Sequence, residues 1–478
     1  MINAIVTHPL FGRGQVLQLR NSAREAVVRF DNGVKTVVAT NMLKVLEALQ
    51  PITSASPSPT MPVAINKSLN KTSFPAVTQP INIESRRTIE ALRFGIVPHQ
   101  KIRELSVGLS AEFDSLQKAF ASITQHGGDV RVVVGEYGTG KSHFFEVVTK
   151  EALERNFLVA KISLDVNEVP PNRPQRIYNA LIKSLVYPDS PDVGTLVPLL
   201  DKILDDQVLY SSLSEKLIGT IFGSVLYNYS TLRHKPGEAL DALLDWIYGE
   251  KVYIKDVRAY LIAKNKNFPV PTLPASATSA DQYCYLLNGW SWLANKAGYA
   301  GLAILIDESE HYSLLNQVGQ ERADNFFRAL VYTTMAGSPH CQIQEEHLQH
   351  QKREHAFRFA DRGETLFMFA VTPTVGSFSY KSWLDKEQII TLNGYLSESA
   401  INELMSKLKT LHQEAYGYSK DDKTDEVTKT LLSCLERRLI NLRQTIRLAV
   451  DVYDRWFVYE DFAFSQAATE INHSLLGR

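Results

Sequence analysis

Cysteine is scarce in this sequence: its 478 residues include three cysteines, Cys284, Cys341 and Cys434, and no two of them form a C-x-x-C pair. That spacing argues against a disulfide framework or a zinc ribbon and is typical of a protein of the reducing cytosol. Long hydrophobic runs are also lacking, because no apolar stretch approaches the ~20 residues that a membrane helix needs. Residues 1–4 show no basic region followed by an apolar run, so no signal peptide is predicted. We therefore expect a soluble, cytoplasmic protein without a membrane partner.

An excess of charge of either sign is missing as well. The formal net charge is −1, so no global basic field indicates nucleic acid, and any such contact must be local. The composition, 44% hydrophobic and 22% charged, is typical of a globular protein. A chain of 478 residues is too long for one ordinary core, which predicts two to four domains.

What the sequence does contain is a phosphate-binding motif. The pattern G-x-x-x-x-G-K-[ST] is matched by Gly135, Glu136, Tyr137, Gly138, Thr139, Gly140, Lys141 and Ser142. Apolar residues before the motif predict a buried parallel strand, and the residues from Ser142 and His143 onward predict a helix. A chance Gly-rich turn would explain an isolated match, but the strand and the helix on either side favour a nucleotide site over residues 135–143.

The chemistry of nucleotide binding accounts for the residue types in this motif. Its glycines let the backbone turn tightly and direct N–H groups at a polyphosphate, and the positive end of the helix dipole adds to the anion site. Lys141 places a charge on the β- and γ-phosphates, and the Ser142 hydroxyl can ligate Mg²⁺. The predicted cofactors are therefore ATP and Mg²⁺.

A second motif follows at residues 301–308, where apolar residues run into Asp307 and Glu308. An acidic pair at the end of a strand is common on its own, but with an upstream phosphate loop it indicates the second half of a P-loop ATPase. Asp307 is then predicted to hold the Mg²⁺ shell. Glu308 is predicted to activate the attacking water, a step that needs a carboxylate within hydrogen-bond reach.

The rest of the chain predicts an α/β fold with several parts. Residues 157–165, 365–374 and 388–392 predict further strands, and residues 190–298 predict a helical insertion without any chemical constellation. Asn-Gly between β-rich runs predicts a small β-barrel at 1–47, followed by a Pro- and Ser-rich flexible linker at 48–80. We expect the ATPase domain to span 81–396 and a helical lid to span 397–478.

Several residues outside these motifs have two interpretations. The basic and aromatic residues of 341–358 predict a local nucleic-acid contact, although a solvated helix or loop explains them equally well. His340, Cys341, His347, His350 and His355 could conceivably hold a metal, but they match no standard spacing. Arg86, Arg87 and Arg93 could approach a nucleotide or a neighbouring subunit, or could form a solvated helix face.

Together, the motifs and the strand order resemble the AAA+ class and its origin-recognition (Orc/Cdc6-like) branch. More specifically, Arg86–Arg93, Gly135–Ser142, Val169-Pro170 and Asp307–Glu310 resemble the BrxD-type ATP-binding proteins of BREX phage-defence systems. Residues 1–47 resemble SH3-like (Tudor-like) modules, which mostly bind protein and sometimes nucleic acid. A barrel that merely caps the chain is the alternative. The N-terminal module and the His-rich segment are not part of the BrxD pattern.

The resemblance implies further roles. In this class the end of the strand at 365–374 carries a polar residue that touches the γ-phosphate or the lytic water, which is Thr372 here. An arginine opening a late lid helix can reach the γ-phosphate, and Arg443 is the candidate; an arginine that simply lies on the lid surface is the alternative. The family implies a helicase or another DNA-acting defence protein as partner, possibly DNA itself, and a homo-oligomer in which an arginine finger acts in trans, with Arg322 and Arg328 as candidates.

Three functions compete at this point. The first is an ATP-hydrolysing AAA+ protein that acts on DNA or loads a helicase. The second is a nucleotide-switched scaffold in which ATP binding, not turnover, drives partner recruitment. The third is a small-molecule kinase or a GTPase. The Asp-Glu pair and the lid argue against a kinase, and the lack of Asn-Lys-x-Asp after a strand argues against guanine specificity.

Overall fold

The structure, a computed structural model, describes residues 79–476 and the backbone of five strands between residues 5 and 47. Within 79–476 the stretches left out are 191–193, 262–266, 277, 336, 352–355, 374–377, 421–424 and 460–461. The chain divides into two units, Met1–Ser68 and Leu69–Arg478. Among the described residues, no helix combines the length and the apolar character needed to cross a bilayer.

The N-terminal unit contains a five-stranded antiparallel sheet. Its strands are β1 (Ile5–His8), β2 (Gly12–Arg20), β3 (Glu25–Phe30), β4 (Lys35–Ala39) and β5 (Lys44–Glu47). They pair in the order β4-β3-β2-β1-β5. The hairpin turn predicted at Asp31–Gly33 and most of the predicted linker, residues 48–78, lie outside the described residues. The SH3-like assignment of this unit stays a prediction.

The second unit is built on a six-stranded sheet. Its strands are β6 (Gly128–Val134), β7 (Phe157–Ser163), β8 (Leu185–Val186), β9 (Gly301–Asp307), β10 (Thr365–Val371) and β11 (Ile389–Thr391). They pair in the order β11-β6-β10-β9-β7-β8, in parallel except for the short edge pair β7–β8. Strand β10 therefore lies between the strands that carry the two motifs. This order confirms the predicted AAA+-like P-loop sheet.

Helices surround this sheet and also form the C-terminal part of the second unit. In chain order they are α1 (Ile83–Arg93), α2 (Ile102–Leu105), α3 (Ser110–His126), α4 (Lys141–Glu154), α5 (Pro174–Lys183), α6 (Val197–Asp205), α7 (Gln207–Lys216), α8 (Ile221–Leu232), α9 (Glu238–Ile247), α10 (Ile254–Tyr260), α11 (Ala280–Lys296), α12 (Gln317–Met335), α13 (Glu398–Tyr416), α14 (Asp425–Glu436), α15 (Leu442–Val458) and α16 (Phe464–Leu476). The late lid helix predicted to open at Asn441 is α15, and α16 follows it.

The two faces of the sheet pack into separate apolar cores, because side chains alternate between the faces along each strand. Helices α3 and α4 cover one face, where Val133, Leu305 and Met368 are buried. Helices α5, α11 and α12 cover the other face, where the alternate strand residues are buried. Helices α6–α10 of the predicted insertion pack into this second core as well. The insertion therefore forms one continuous core with the sheet.

A third core belongs to the C-terminal helices and to α1. Ile89 and Leu92 of α1 are buried with apolar residues of α13–α16, although α1 precedes the sheet in the sequence. Arg93 of α1 donates to both carboxylate oxygens of Asp454 in α15, at 2.9 and 2.7 Å. His412 of α13 contacts the same carboxylate at 3.0 Å. We call α1 together with α13–α16 the lid body.

Candidate functional site

The phosphate loop joins the end of β6 to α4, which begins at Lys141. Gly138 and Gly140 have φ angles of 81° and 102°, a left-handed backbone that side chains disfavour. A Cβ at Gly135 would lie 2.5 Å from Oγ1 of Thr139, closer than any side chain could fit. The glycines are therefore required for the tight turn that gathers backbone amides at the N-terminus of a helix, which is an anion site.

Lys141 lies inside this loop. Its Nζ donates to the carbonyl oxygen of Gly135 and to Oγ1 of Thr372, each at 2.8 Å. A weaker contact reaches the carbonyl oxygen of Glu136 at 3.4 Å. Lys141 is only 7% exposed and Thr372 only 2%. The fold thus brings the predicted phosphate-binding ammonium group and the polar residue after β10 into direct contact.

Ser142 and Asp307, the two predicted Mg²⁺ ligands, also meet. Oγ of Ser142 donates to Oδ2 of Asp307 at 2.7 Å, and Oδ1 of Asp307 accepts from the backbone N–H of Glu308 at 2.8 Å. A hydroxyl and a carboxylate are the hard oxygen donors that Mg²⁺ prefers, with phosphate oxygens and water completing its shell. The donor set fits this cation.

Glu308 is the first residue after β9 and has left-handed backbone angles, φ 56° and ψ 38°. Non-glycine residues in this region are uncommon and cluster at functional sites. Its side chain is 53% exposed and lines the same cavity as Lys141, Ser142 and Asp307. The carboxylate is therefore accessible to water beside the phosphate loop.

That cavity has a volume of about 220 Å³ and lies between the phosphate loop and the lid body. At one end it is polar, because the loop and the acidic pair line it. The other end is lined by apolar side chains from the segment after α1 and from α15, namely Ile96, Val97, Leu105, Val107, Leu442 and Ile446. A polar end for phosphates next to an apolar end for a base matches the two halves of a nucleotide.

The apolar end is the part of the site that sequence reasoning missed. A usable signal was present: residues 96–98, Ile-Val-Pro, are an apolar stretch just after a helix ends. Ile96 is 59% exposed and lines the cavity together with Val97 and Pro98.

His143 links this end to the phosphate loop. Its Nε2 lies 2.9 Å from Oγ of Ser106, whose hydroxyl hydrogen is already donated to the carbonyl oxygen of Ile102. Nε2 is therefore the donor to this hydroxyl. Burial lowers the pKa of His143 to about 4, which favours the neutral ring at neutral pH.

Arg443, the predicted lid arginine, lies at the mouth of the cavity. Its Nη1 donates to the phenol oxygen of Tyr137 at 2.6 Å, and its Nε donates to the carbonyl oxygen of Gly95 at 2.8 Å. The guanidinium also lies over the Tyr137 ring at 5.6 Å. Asn441, at the start of the same helix, sits so close to Gly138 that a Cβ there would lie 2.6 Å from it. The start of α15 thus rests directly on the phosphate loop.

The described residues of the segment 341–358 form no helix apart from the 3₁₀ turn Glu345–His347. Leu348 and Phe357 are buried in the core of the sheet. Arg358 lies over the ring of Tyr332, and Lys352–His355 lie outside the described residues. Among the residues that the structure describes, no group of three or more His, Cys, Asp or Glu could hold a metal. Arg358 and His350, whose ring contacts Phe357, are therefore engaged in packing, whereas the His347 side chain is exposed.

The other predicted arginines differ in their surroundings. Arg93 is bound within the lid body, where its hydrogen bonds to Asp454 raise its pKa. Arg86 and Arg87 are exposed on α1, and Arg322 is exposed near the start of α12. Arg328 donates to the carbonyl oxygen of His347 at 3.3 Å. None of these five arginines lines the nucleotide cavity.

The sheet order and the phosphate loop define a P-loop nucleotide-binding protein of the AAA+ type. Residues 82–208 match the family model described as "BREX system ATP-binding protein BrxC/D". The matched segment contains the phosphate loop, α1 and the apolar segment after it. The predicted resemblance to BREX ATP-binding proteins is confirmed over these residues.

Comparison with solved structures gives more distant similarities. The Walker-type ATPase PABY2304 of Pyrococcus abyssi is 9% identical, with a TM-score of 0.31, over 78% of this chain and 73% of that chain. Drosophila ORC bound to DNA is 12% identical, with a TM-score of 0.36, over 88% of this chain and 71% of that chain. No curated protein sequence matches this chain.

Proposed function

We propose that this chain is an ATP-hydrolysing AAA+ protein of phage defence that works with a DNA-acting partner such as a helicase. One observation carries the hydrolytic part of the proposal. Lys141, Ser142, Asp307 and Glu308 line one cavity, and Thr372 is hydrogen-bonded to Lys141 at 2.8 Å. The matched BREX family supports the defence role, and the DNA-acting partner is an inference from that family.

In this proposal each residue has one task. Lys141 exchanges its contacts with loop carbonyls for the β- and γ-phosphates. Ser142 and Asp307 would hold Mg²⁺, which would supply positive charge beside the phosphates. Glu308 accepts the proton of the attacking water. Thr372 orients the γ-phosphate or that water.

The lid contributes the arginine. Arg443 lies close to the phosphate loop, because its guanidinium donates to the phenol oxygen of Tyr137. A small movement of the lid body would therefore bring it to the γ-phosphate. Closure of a lid excludes water from the phosphates and completes the site.

A nucleotide-switched scaffold is the second candidate, because the contacts of Arg443 and Asn441 join the lid directly to the phosphate loop. Through that connection, ATP binding alone could shift the lid body and recruit a partner. The two candidates differ in whether turnover is needed.

Steady-state ATPase rates of the wild type and of Glu308→Gln, with and without single- and double-stranded DNA, test this. Hydrolysis that DNA stimulates and that Glu308→Gln lowers roughly 10²–10⁴-fold, to a small residual rate, supports the DNA-acting enzyme. A negligible rate that DNA does not change favours the switch. Lys141→Ala is the control for binding and is expected to abolish it, whereas Glu308→Gln should retain ATP.

A further inference from the structure

A short 3₁₀ helix, Ser309–Leu314, follows the second motif and turns the chain back over Glu308. The left-handed backbone of Glu308 makes this reversal possible, and the N–H of His311 donates to the carbonyl oxygen of Glu308 at 3.3 Å. As a result, Nε2 of His311 lies 3.6 Å from Oε2 of Glu308. The imidazole is thus the neighbour of the carboxylate to which we assign the catalytic proton transfer.

The other ring nitrogen faces the protein interior. The His311 side chain is 24% exposed, and its Nδ1 is buried without a hydrogen-bond partner among the described residues. A neutral imidazole has one donor and one acceptor nitrogen. Because Nε2 faces a carboxylate, the proton is best placed on Nε2, where Glu308 can accept it.

A second carboxylate lies at the end of the neighbouring strand. Asp165 follows β7, which is the neighbour of β9 in the sheet, with Ser163 opposite Asp307. Its Oδ1 accepts from the backbone amides of Asn167 and Glu168 at 2.7 and 2.9 Å. These bonds lower the pKa of Asp165 and hold its carboxylate in a turn of its own at the end of the strand next to β9.

We propose that His311 is a positioning residue for Glu308. Its Nε2–H donates to Oε2, which leaves Oε1 directed at the cavity to accept the proton of the attacking water. The present separation of 3.6 Å exceeds the ~3.2 Å limit of a good N–H···O bond, so the exposed Glu308 side chain closes a gap of a few tenths of an ångström when the site is filled. This inference rests on the proposed role of Glu308 in hydrolysis.

The test compares three replacements of His311 in the full chain. The amide nitrogen of Gln can occupy the place of Nε2, whereas that of Asn occupies the place of Nδ1. His311→Ala is expected to lower kcat about tenfold, a modest share of a general-base contribution of roughly 10²–10⁴, and to leave the Kd of a fluorescent ATP analogue within about twofold. His311→Gln should recover most of the lost rate, and His311→Asn should not. Melting temperatures establish that each variant is folded.

A double variant separates this inference from the proposed function. If His311 acts through Glu308, then adding His311→Ala to Glu308→Gln lowers the residual rate no further. An unchanged kcat in His311→Ala, equal rescue by Gln and Asn, or a tenfold loss that persists in the Glu308→Gln background would each overturn the positioning role alone. If the wild type does not hydrolyse ATP, or Glu308→Gln hydrolyses it at the wild-type rate, the proposed function itself fails and this inference fails with it.

Discussion

The contact between Thr372 and Lys141 leads to a quantitative prediction. Replacing Thr372 with valine removes a hydroxyl while keeping the branched shape of the side chain. The ammonium group of Lys141 would lose an acceptor at 2.8 Å and keep the carbonyl oxygen of Gly135, also at 2.8 Å. Both side chains are nearly fully buried, so water does not readily replace the lost partner.

The expected size of the effect follows from this geometry. A hydrogen bond to a charged group contributes about 1.5–3 kcal/mol; in the ATP-bound state the proposed charged partner of the Thr372 hydroxyl is the γ-phosphate, and we take about 2 kcal/mol for this bond. If the hydroxyl acts in the transition state, as we propose, 2 kcal/mol corresponds to about a 30-fold lower kcat. ATP affinity should change little, because the phosphates then become partners of Lys141.

Single-turnover hydrolysis and equilibrium binding of a fluorescent ATP analogue measure the two quantities separately. Thr372→Ser keeps the hydroxyl and serves as the matched control, with an expected kcat within about threefold of the wild type. A Thr372→Val variant that keeps more than about a third of the wild-type kcat would refute the catalytic role. A variant that loses affinity but not kcat would show that Thr372 only supports binding.

Three further predictions concern the lid and the N-terminal unit. Burial lowers the pKa of His412, whereas the pKa of Asp454 is lowered because its hydrogen bonds from His412 and Arg93 outweigh burial. Folding therefore favours the neutral imidazole and the ionised carboxylate. The free energy of unfolding should be constant near neutral pH and should fall once the pH drops below the ordinary histidine pKa of 6.5. Thermal melting against pH measures this, and a melting temperature that rises on acidification would contradict it. Arg443→Ala is expected to lower kcat about tenfold, and Arg443→Lys should have an intermediate kcat. Tyr137→Phe loses only an exposed contact and should lower kcat by less than about threefold. Equal rates for the three variants in an ATPase assay would show that Arg443 has no role in the mechanism. Deletion of 1–47 should spare ATPase activity and abolish partner recruitment in a pull-down, and a lost ATPase would mean that this unit belongs to the enzyme core.

The phosphate loop and the sheet could be predicted from the sequence because their signals are local. Glycines at this spacing before Lys141 have few roles other than phosphate binding, and strands buried on both faces are continuous apolar runs. The position of β10 between β6 and β9 also follows from the motif order once a P-loop class is recognised. The sequence did not indicate β8, because a two-residue edge strand has no periodicity to detect.

The remaining features of the fold and of the site depend on contacts between residues that are distant in the sequence. Nothing in α1 itself indicates that Ile89 and Leu92 pack against α13–α16, since an amphipathic face predicts burial but not the partner. The apolar end of the cavity was missed for the same reason: it forms only when the segment after α1 meets Leu442 and Ile446. The segment 341–358 was ambiguous because a charge-rich stretch can still be held in place by a few buried residues such as Phe357.

The membership of α1 in the lid body has a consequence for how the chain folds during synthesis. Arg93 and its partner Asp454 are 361 residues apart, and the helices that cover α1 leave the ribosome long after it. At about 5–20 residues per second, the roughly 300 residues between α1 and α13 take about 15–60 s to make. During that interval the sheet can form while the apolar face of α1 stays uncovered, which makes it a natural binding site for a chaperone. A nascent chain truncated before α13 would keep that face exposed, so premature termination is expected to yield aggregation-prone fragments even when the sheet is complete.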